Sequence, residues 1–237
     1  MHASHLLRFE RRFFVLKTII FANGNFSDPQ RARQNIQPED IILAADGGAR
    51  HCLAMELIPH VVIGDFDSLT PDELAYMQAA GAKLIRYPVD KDFTDLELAL
   101  EYAQQLKPDR ILIFGGLGAR WDQTLANLTL IAGSNYNGVS LALLDGSQEI
   151  IPLHGPGTLS IHGSPGDTVS LIPLAGNAEG ITIQGCAYPL DHETLYFGST
   201  RGVSNALSDH TATISLERGT LICIHIRNAA HSEAKAT

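Results

Sequence analysis

Short apolar runs separated by polar turns dominate the first part of the chain. LKTIIFA (16–22), DIILAAD (40–46), VVIGD (61–65), KLIRY (83–87), RILIFGG (110–116) and VSLALLD (139–145) each have the length and composition of a buried strand. Helix signals fall between them. Asp28-Pro29 offers a cap and a first-turn proline, and a helical stretch runs over 47–57. Thr70-Pro71 opens a helix that ends at Gly81. Thr94 to Leu106 carries Leu96, Ala99, Leu100 and Ala103 on one stripe, with Thr94 and Glu97 spaced as a capping box. A further helix is expected from about 122 to 131. Strands that alternate with helices predict a Rossmann-like α/β arrangement: a parallel sheet with helices on both faces, and ligands beyond the carboxyl ends of its strands.

After Leu144 the pattern changes. Residues 145–227 are rich in turns, with alternating apolar positions and no helical period, as in TATISLERG and TLICIHIR. This predicts an all-β sandwich, or a small barrel of the same length. The expected division is an α/β domain over 14–146, a sandwich domain over 147–228, and loose tails at 1–13 and 229–237. The basic and then apolar N-terminus raises the question of a secretory signal. Glu10 within its basic part and Lys17 within its apolar run argue against one. No run is long enough to span a membrane as a helix.

Charge narrows the class of partner. With 26 acidic against 17 basic residues in 237, the chain is a poor general binder of nucleic acid or anionic membrane. Any polyanion must be held locally, by a metal ion or a few placed cations. Cys52, Cys186 and Cys223 show no zinc or redox spacing, which predicts reduced, packed thiols and a cytoplasmic location.

The candidate chemistry lies at the strand ends. In GDFDS (64–68), Asp65 and Asp67 are two positions apart, and on an extended segment they share a side at about 7 Å. They suit one magnesium ion, which prefers hard oxygen ligands, or else an Asx turn. Ser68 completes that segment. In VDKDFTDLELAL (89–100) the cap accounts for Thr94, and the helix dipole accounts for Asp95. Neither accounts for Lys91 or Asp92, which place a cation and a carboxylate at an anion-binding helix end. In FGGLGARWDQTLAN (114–127), Gly115, Gly116 and Gly118 allow backbone N–H groups to approach phosphates. Arg120 is suited to clamp a phosphate. Asp122 reads either as a magnesium ligand or as a helix N-cap, and Trp121 reads as packing. Asp46, before Gly47-Gly48, reads as a ribose or metal-shell partner or as a plain turn. Together these gather the acidic residues, with the two cations Lys91 and Arg120, at one predicted sheet edge, the composition of a Mg–polyphosphate site.

The ordered set DGG (46–48), GDFDS (64–68), KDFTDLELAL (91–100) and GGLGARWDQ (115–123), with FGSTRGVSN (197–205), resembles the thiamine pyrophosphokinase family. The resemblance implies Mg-dependent transfer of diphosphate from the co-substrate ATP to thiamine, and a homodimer with shared active sites. It implies Asp65, Asp67 and Asp95 as catalytic metal ligands. Asp46, Ser68, Lys91, Asp92, Thr94, Gly116, Arg120 and Asp122 fall on the nucleotide side, and Tyr188, Ser204 and Asn205 on the thiamine side. Ala119 and Gln123 depart from many bacterial members, which carry Gly and His there. Three alternatives remain at this stage. DFDSL (65–69) resembles a haloacid-dehalogenase phosphatase motif, the acceptor alcohol differs, or the chain is a non-catalytic sensor.

Overall fold

The computed structural model describes residues 16–118, 120–133, 136 and 138–228; the expected tails and the Ala119 departure lie outside them. The six predicted strands are β1 (Lys17–Phe21), β2 (Ile41–Ala45), β3 (Val61–Gly64), β4 (Lys83–Arg86), β5 (Arg110–Phe114) and β6 (Ser140–Asp145). They pair in parallel in the order β4-β3-β2-β1-β5-β6. The chain steps outward from β1 to β4 and then returns to the other side of β1. The order therefore reverses between β1 and β5, where a parallel sheet opens a crevice at its carboxyl edge.

Helices α1 (Pro29–Asn35), α2 (Ala49–Ala54), α3 (Pro71–Ala79), α4 (Asp95–Gln105) and α5 (Trp121–Ile131) cover this sheet. Strand pleating sends alternate residues to opposite faces. Ile20, Leu43, Ile63, Ile111 and Leu143 pack with Leu96, Ala99 and Leu100 of α4 and Ile131 of α5. Ile19, Phe21, Ala44, Val62 and Leu112 pack with Ala32 of α1, Cys52 of α2 and Met77 of α3. Each of the larger side chains, Val, Leu, Ile, Phe or Met, contributes roughly 1.5–3 kcal/mol on burial, so the two apolar layers fix the sheet between its helices.

The expected helix over 47–57 forms as a single 3-10 turn at Asp46–Gly48 followed by the short α2. The full reciprocal capping box belongs to Thr70 and Glu73 of α3. At α4, only the Thr94 half is observed: its hydroxyl accepts from the Glu97 N–H at 3.2 Å.

The β-rich region does not hang from a linker. β7 (Gln148–His154) turns back at Gly146-Ser147 and pairs antiparallel with β6, so the sheet runs on through β13 (Arg218–Ile226) into β9 (Thr168–Gln184). β9 is 17 residues long and serves two sheets. Its first half pairs with β13 and with the short β11 (Asn205–Ala206). Its second half pairs with β10 (Leu190–Leu195) and β12 (Thr211–Leu216), and β12 carries the edge strand β8 (Gly157–His162). Positive φ values at Ala175, Gly176 and Gly180 mark the bend. Leu153, Leu171, Ile181, Ile214 and Leu221 fill the space between the layers, as expected of a sandwich. All three cysteines are buried and unbridged. Among the described residues no helix is long and apolar enough to cross a membrane.

Candidate active site

The carboxyl ends of β1, β2, β3 and β5 open on one cavity of about 400 Å³. Its floor is a backbone weld at the strand-order reversal. The N–H groups of Ala22, Gly24 and Asn25 donate to the carbonyls of Phe114, Gly115 and Leu117 at 2.7–2.8 Å. Gly115 has φ +66°, and a Cβ there would lie 2.4 Å from the Ala22 carbonyl oxygen, so only glycine permits this approach.

Asp46 leaves β2 with φ +43° and is 3% exposed, and its Oδ1 has no hydrogen-bond partner among the described residues. Asp65 leaves β3. The segment that follows is a tight turn and not the extended stretch expected. Phe66 is buried with φ +67°, and the Asp67 N–H donates to Asp65 Oδ1 at 3.0 Å. The turn brings ligand oxygens of Asp46, Asp65 and Asp67 within 4.8 Å of one another. Gly64 makes room: a Cβ there would meet the Asp46 Cβ at 2.9 Å and Asp95 Oδ1 at 3.2 Å. Three hard oxygen donors, one of them buried and unpartnered, suit a magnesium ion. An isolated buried carboxylate is otherwise costly.

Asp95 is the first residue of α4, and its Oδ1 lies 3.0 Å from Lys91 Nζ, which also reaches Asp65 Oδ2 at 3.1 Å. Burial works against the Lys91 charge, but bonds to Asp95 and Asp65 outweigh it and raise its pKa. The Asp67 N–H and then Lys91 hold the Asp65 carboxyl below its usual range. Burial pushes Asp95 upward, with Lys91 opposing. Of the expected metal set, Asp65 and Asp67 thus join Asp46, while Asp95 faces the lysine.

Ser68, Thr94, Gly116 and Arg120 also line the cavity. Ser68 Oγ donates to Asp67 Oδ1 at 3.0 Å and accepts from Asn23 Nδ2 at 3.2 Å, which ties the acidic turn to the end of β1. Asp92 is exposed and outside the lining. Asp122 is not the N-cap. α5 starts at Trp121, the cap position is Arg120, and Asp122 accepts from Arg120 Nε at 3.1 Å in the first turn. Trp121 is 81% exposed, so it does not pack as expected.

Tyr188, Ser204 and Asn205 lie together on the sandwich, and none lines the cavity. The Tyr188 N–H donates to Asn205 Oδ1 at 3.0 Å, and Asn205 Nδ2 returns a bond to the Tyr188 carbonyl at 2.7 Å. Ser204 has φ +65° and donates its N–H to Ser170 Oγ at 3.0 Å. The Tyr188 ring is exposed.

Among the cavity residues that the sequence reading did not mark as site candidates are Asn23, Gly24, Phe93 and Asn127. For Asn127 a signal existed, since Arg120, Gln123 and Asn127 share one helical face. The structure places all three on the lining, and buried Asn127 Nδ2 donates to the Gly116 carbonyl at 2.7 Å. Asn23 and Gly24 become site residues only through the β1–β5 weld.

Residues 32–143 match the profile described as thiamin pyrophosphokinase, catalytic domain, and residues 150–221 the profile described as thiamin pyrophosphokinase, vitamin B1 binding domain. The thiamine pyrophosphokinase of Bacillus subtilis is 34% identical over 183 residues, covering 77% of this chain and 85% of that protein. Rice thiamine pyrophosphokinase 1 is 26% identical, over 73% and 69%. The crystal structure of thiamine pyrophosphokinase from Bacillus subtilis superposes with a TM-score of 0.80 at 29% identity, over 90% of this chain and 99% of that one. That of thiamin pyrophosphokinase from Geobacillus thermodenitrificans gives 0.79 at 26%, over 91% and 99%. With both halves matched and the carboxylates, the lysine and the glycine loop gathered in one cavity, this chain belongs to the thiamine pyrophosphokinase family.

Proposed function

We propose that this chain transfers a diphosphoryl group from ATP to the hydroxyl of thiamine, giving thiamine diphosphate and AMP. The observation that carries this reading is the cluster of Asp46, Asp65 and Asp67 beside Lys91, at the carboxyl edge of a parallel sheet. We read the parallel half as a Rossmann-like nucleotide-binding domain, divided at 146/147 from a thiamine-binding sandwich. A cytoplasmic location fits its three free, buried thiols.

The reaction forms a bond from the thiamine oxygen to the β-phosphorus and breaks the bond from that phosphorus to the α,β-bridging oxygen, so AMP departs. Catalysis of this kind is mostly positioning and charge compensation. Asp46, Asp65 and Asp67 would hold Mg²⁺, which when bound would supply Lewis-acid neutralisation of phosphate oxygens. Lys91 is drawn from Asp65 and Asp95 toward the polyphosphate, and this frees Asp95 as a further oxygen donor. Arg120 leaves Asp122 to clamp a phosphate, and the glycine loop admits the phosphate chain. Ser68 and Thr94 orient their neighbours through hydroxyl bonds, and the hydroxyl proton of thiamine passes to a cavity carboxylate. Asp92, outside the lining, adds only to the local field.

Tyr188, Ser204 and Asn205 serve the site of a second copy. They sit in the vitamin B1 binding region and outside this chain's own cavity, which is what a homodimer with shared sites requires.

The deciding experiment incubates the protein with Mg-ATP and thiamine and quantifies AMP and thiamine diphosphate together. Equal yields of both are expected. Phosphate release from simple phosphoesters without ATP, transfer only to another alcohol, or binding with no AMP formed would each overturn the reading.

A further inference from the structure

Arg86 ends β4 and lies outside the cavity lining. Its guanidinium donates to the Asp65 carbonyl oxygen at 2.6 Å and lies over the Phe66 ring, 4.6 Å from its centroid. Phe66 is the left-handed residue between the two acidic side chains. An L-residue with a bulky side chain seldom adopts that conformation unless its surroundings hold it there. If Phe66 relaxed to an extended conformation, the Cα atoms of residues 65 and 67 would return to about 7 Å apart and the Asp67 N–H would turn away from Asp65 Oδ1, which it now meets at 3.0 Å. The folded turn instead keeps ligand oxygens of Asp65 and Asp67 within 4.8 Å. Arg86 grips the backbone on one side of the unusual torsion and the side chain on the other. A planar guanidinium does both at once, and an ammonium does not.

We infer that Arg86 is a positioning residue for divalent-cation binding: it holds the Asp65-Phe66-Asp67 turn in its ion-gathering shape without touching the ion. The inference rests on the magnesium reading above and extends it to a residue on the edge strand. Partners behind metal ligands are typically worth about 10–100-fold in metal affinity. Arg86 is exposed, so its removal leaves the two apolar layers intact.

The test uses Mn²⁺ as the probe, titrated by electron paramagnetic resonance in the presence of α,β-methylene-ATP, which cannot give up its diphosphate. Arg86→Met should weaken Mn²⁺ binding by about tenfold or more with an unchanged melting temperature. Arg86→Lys, which keeps the charge and the carbonyl bond but loses the planar stack, should fall between. An Arg86→Met chain that binds Mn²⁺ as the wild type does overturns the inference. Should that variant fail to fold, wild-type affinity in Arg86→Lys overturns it instead. A wild-type chain that binds no Mn²⁺ defeats the metal reading itself, an outcome distinct from equal binding by both chains.

Discussion

Asp46 in the α/β half and Asp167 in the sandwich are buried to the same degree, each 3% exposed, yet they live in opposite circumstances. Asp167 is fully engaged. Oδ2 accepts from the Ser164 N–H at 2.9 Å and lies 3.2 Å from His225 Nε2, and Oδ1 accepts from the Asn228 N–H at 3.0 Å. Burial favours its neutral form, but these bonds overcome burial and hold its carboxyl below the usual range. Asp46 has a buried oxygen with no partner, and two more carboxylates close by. The first arrangement is what a carboxylate does for a fold: it closes a turn onto the last strand. The second is tolerable only where something else arrives to satisfy it. Burial alone does not separate the two roles, whereas hydrogen-bond satisfaction does.

The comparison is broken most directly at the cavity. Asp67→Asn, or Asp46→Asn, should lower kcat by about 10³-fold while urea unfolding shows stability held or increased, because clustered like charges oppose folding. Loss of stability in step with activity would place these residues with Asp167.

The converse substitution comes next. Asp167→Ala leaves two N–H groups and a buried histidine unpartnered and should cost about 3 kcal/mol in equilibrium unfolding. Activity per folded molecule should be unchanged. A stability change near zero would show that the bonds around Asp167 do not anchor the sandwich.

Tyr188→Ala should raise KM for thiamine by about tenfold, the worth of one aromatic stack, and leave KM for ATP alone. If the sites are shared between two copies as proposed, an equal mixture with Asp67→Asn, assayed at thiamine well below KM, should show about a quarter of wild-type activity, because half the dimers then carry one intact site. A mixture no more active than the average of the two variants assayed separately would place both contributions within one chain.

The smallest effect is a pH slope. Burial, only partly offset by Asp167, lowers the pKa of His225 from 6.5. The folded state therefore resists protonation. Below about pH 6.5 the unfolded state binds more protons, so stability falls with pH toward the lowered folded value. The urea midpoint should drop on acidification in the wild type and less so in His225→Gln. Equal drops in both chains would assign the slope elsewhere.

Much of the fold was legible because its signals are local. Ile19, Ile20 and Phe21 announce a strand whatever their neighbours do, and Thr70-Pro71 and Thr94 announce helix starts by their own hydroxyls. The candidate site was legible for a related reason: in a parallel sheet every strand delivers its carboxyl end to one edge, so Asp46, Asp65 and Gly115-Gly116 share that edge by topology. What failed depended on contacts made across the chain or on fine local torsions. Phe66 was assigned an extended backbone and turns out left-handed, held by Arg86. Asp122 was weighed as a cap, but the helix starts one residue before it, at Trp121, and Asp122 pairs with Arg120.

The sequence by itself determined the order of strands and helices, the change to β structure after Leu144, and the set of acidic and basic residues at the strand ends. These follow from periodicity, capping and turn chemistry, which act within a few residues. Only the tertiary structure decided that Asp46 and not Asp95 lies within ion-sharing distance of Asp65 and Asp67, that Lys91 stands between Asp65 and Asp95, and that one sheet runs unbroken from β4 into the sandwich. Distances of a few ångströms between side chains far apart in sequence are set by how strands register and layers pack, and no window along the chain contains that information.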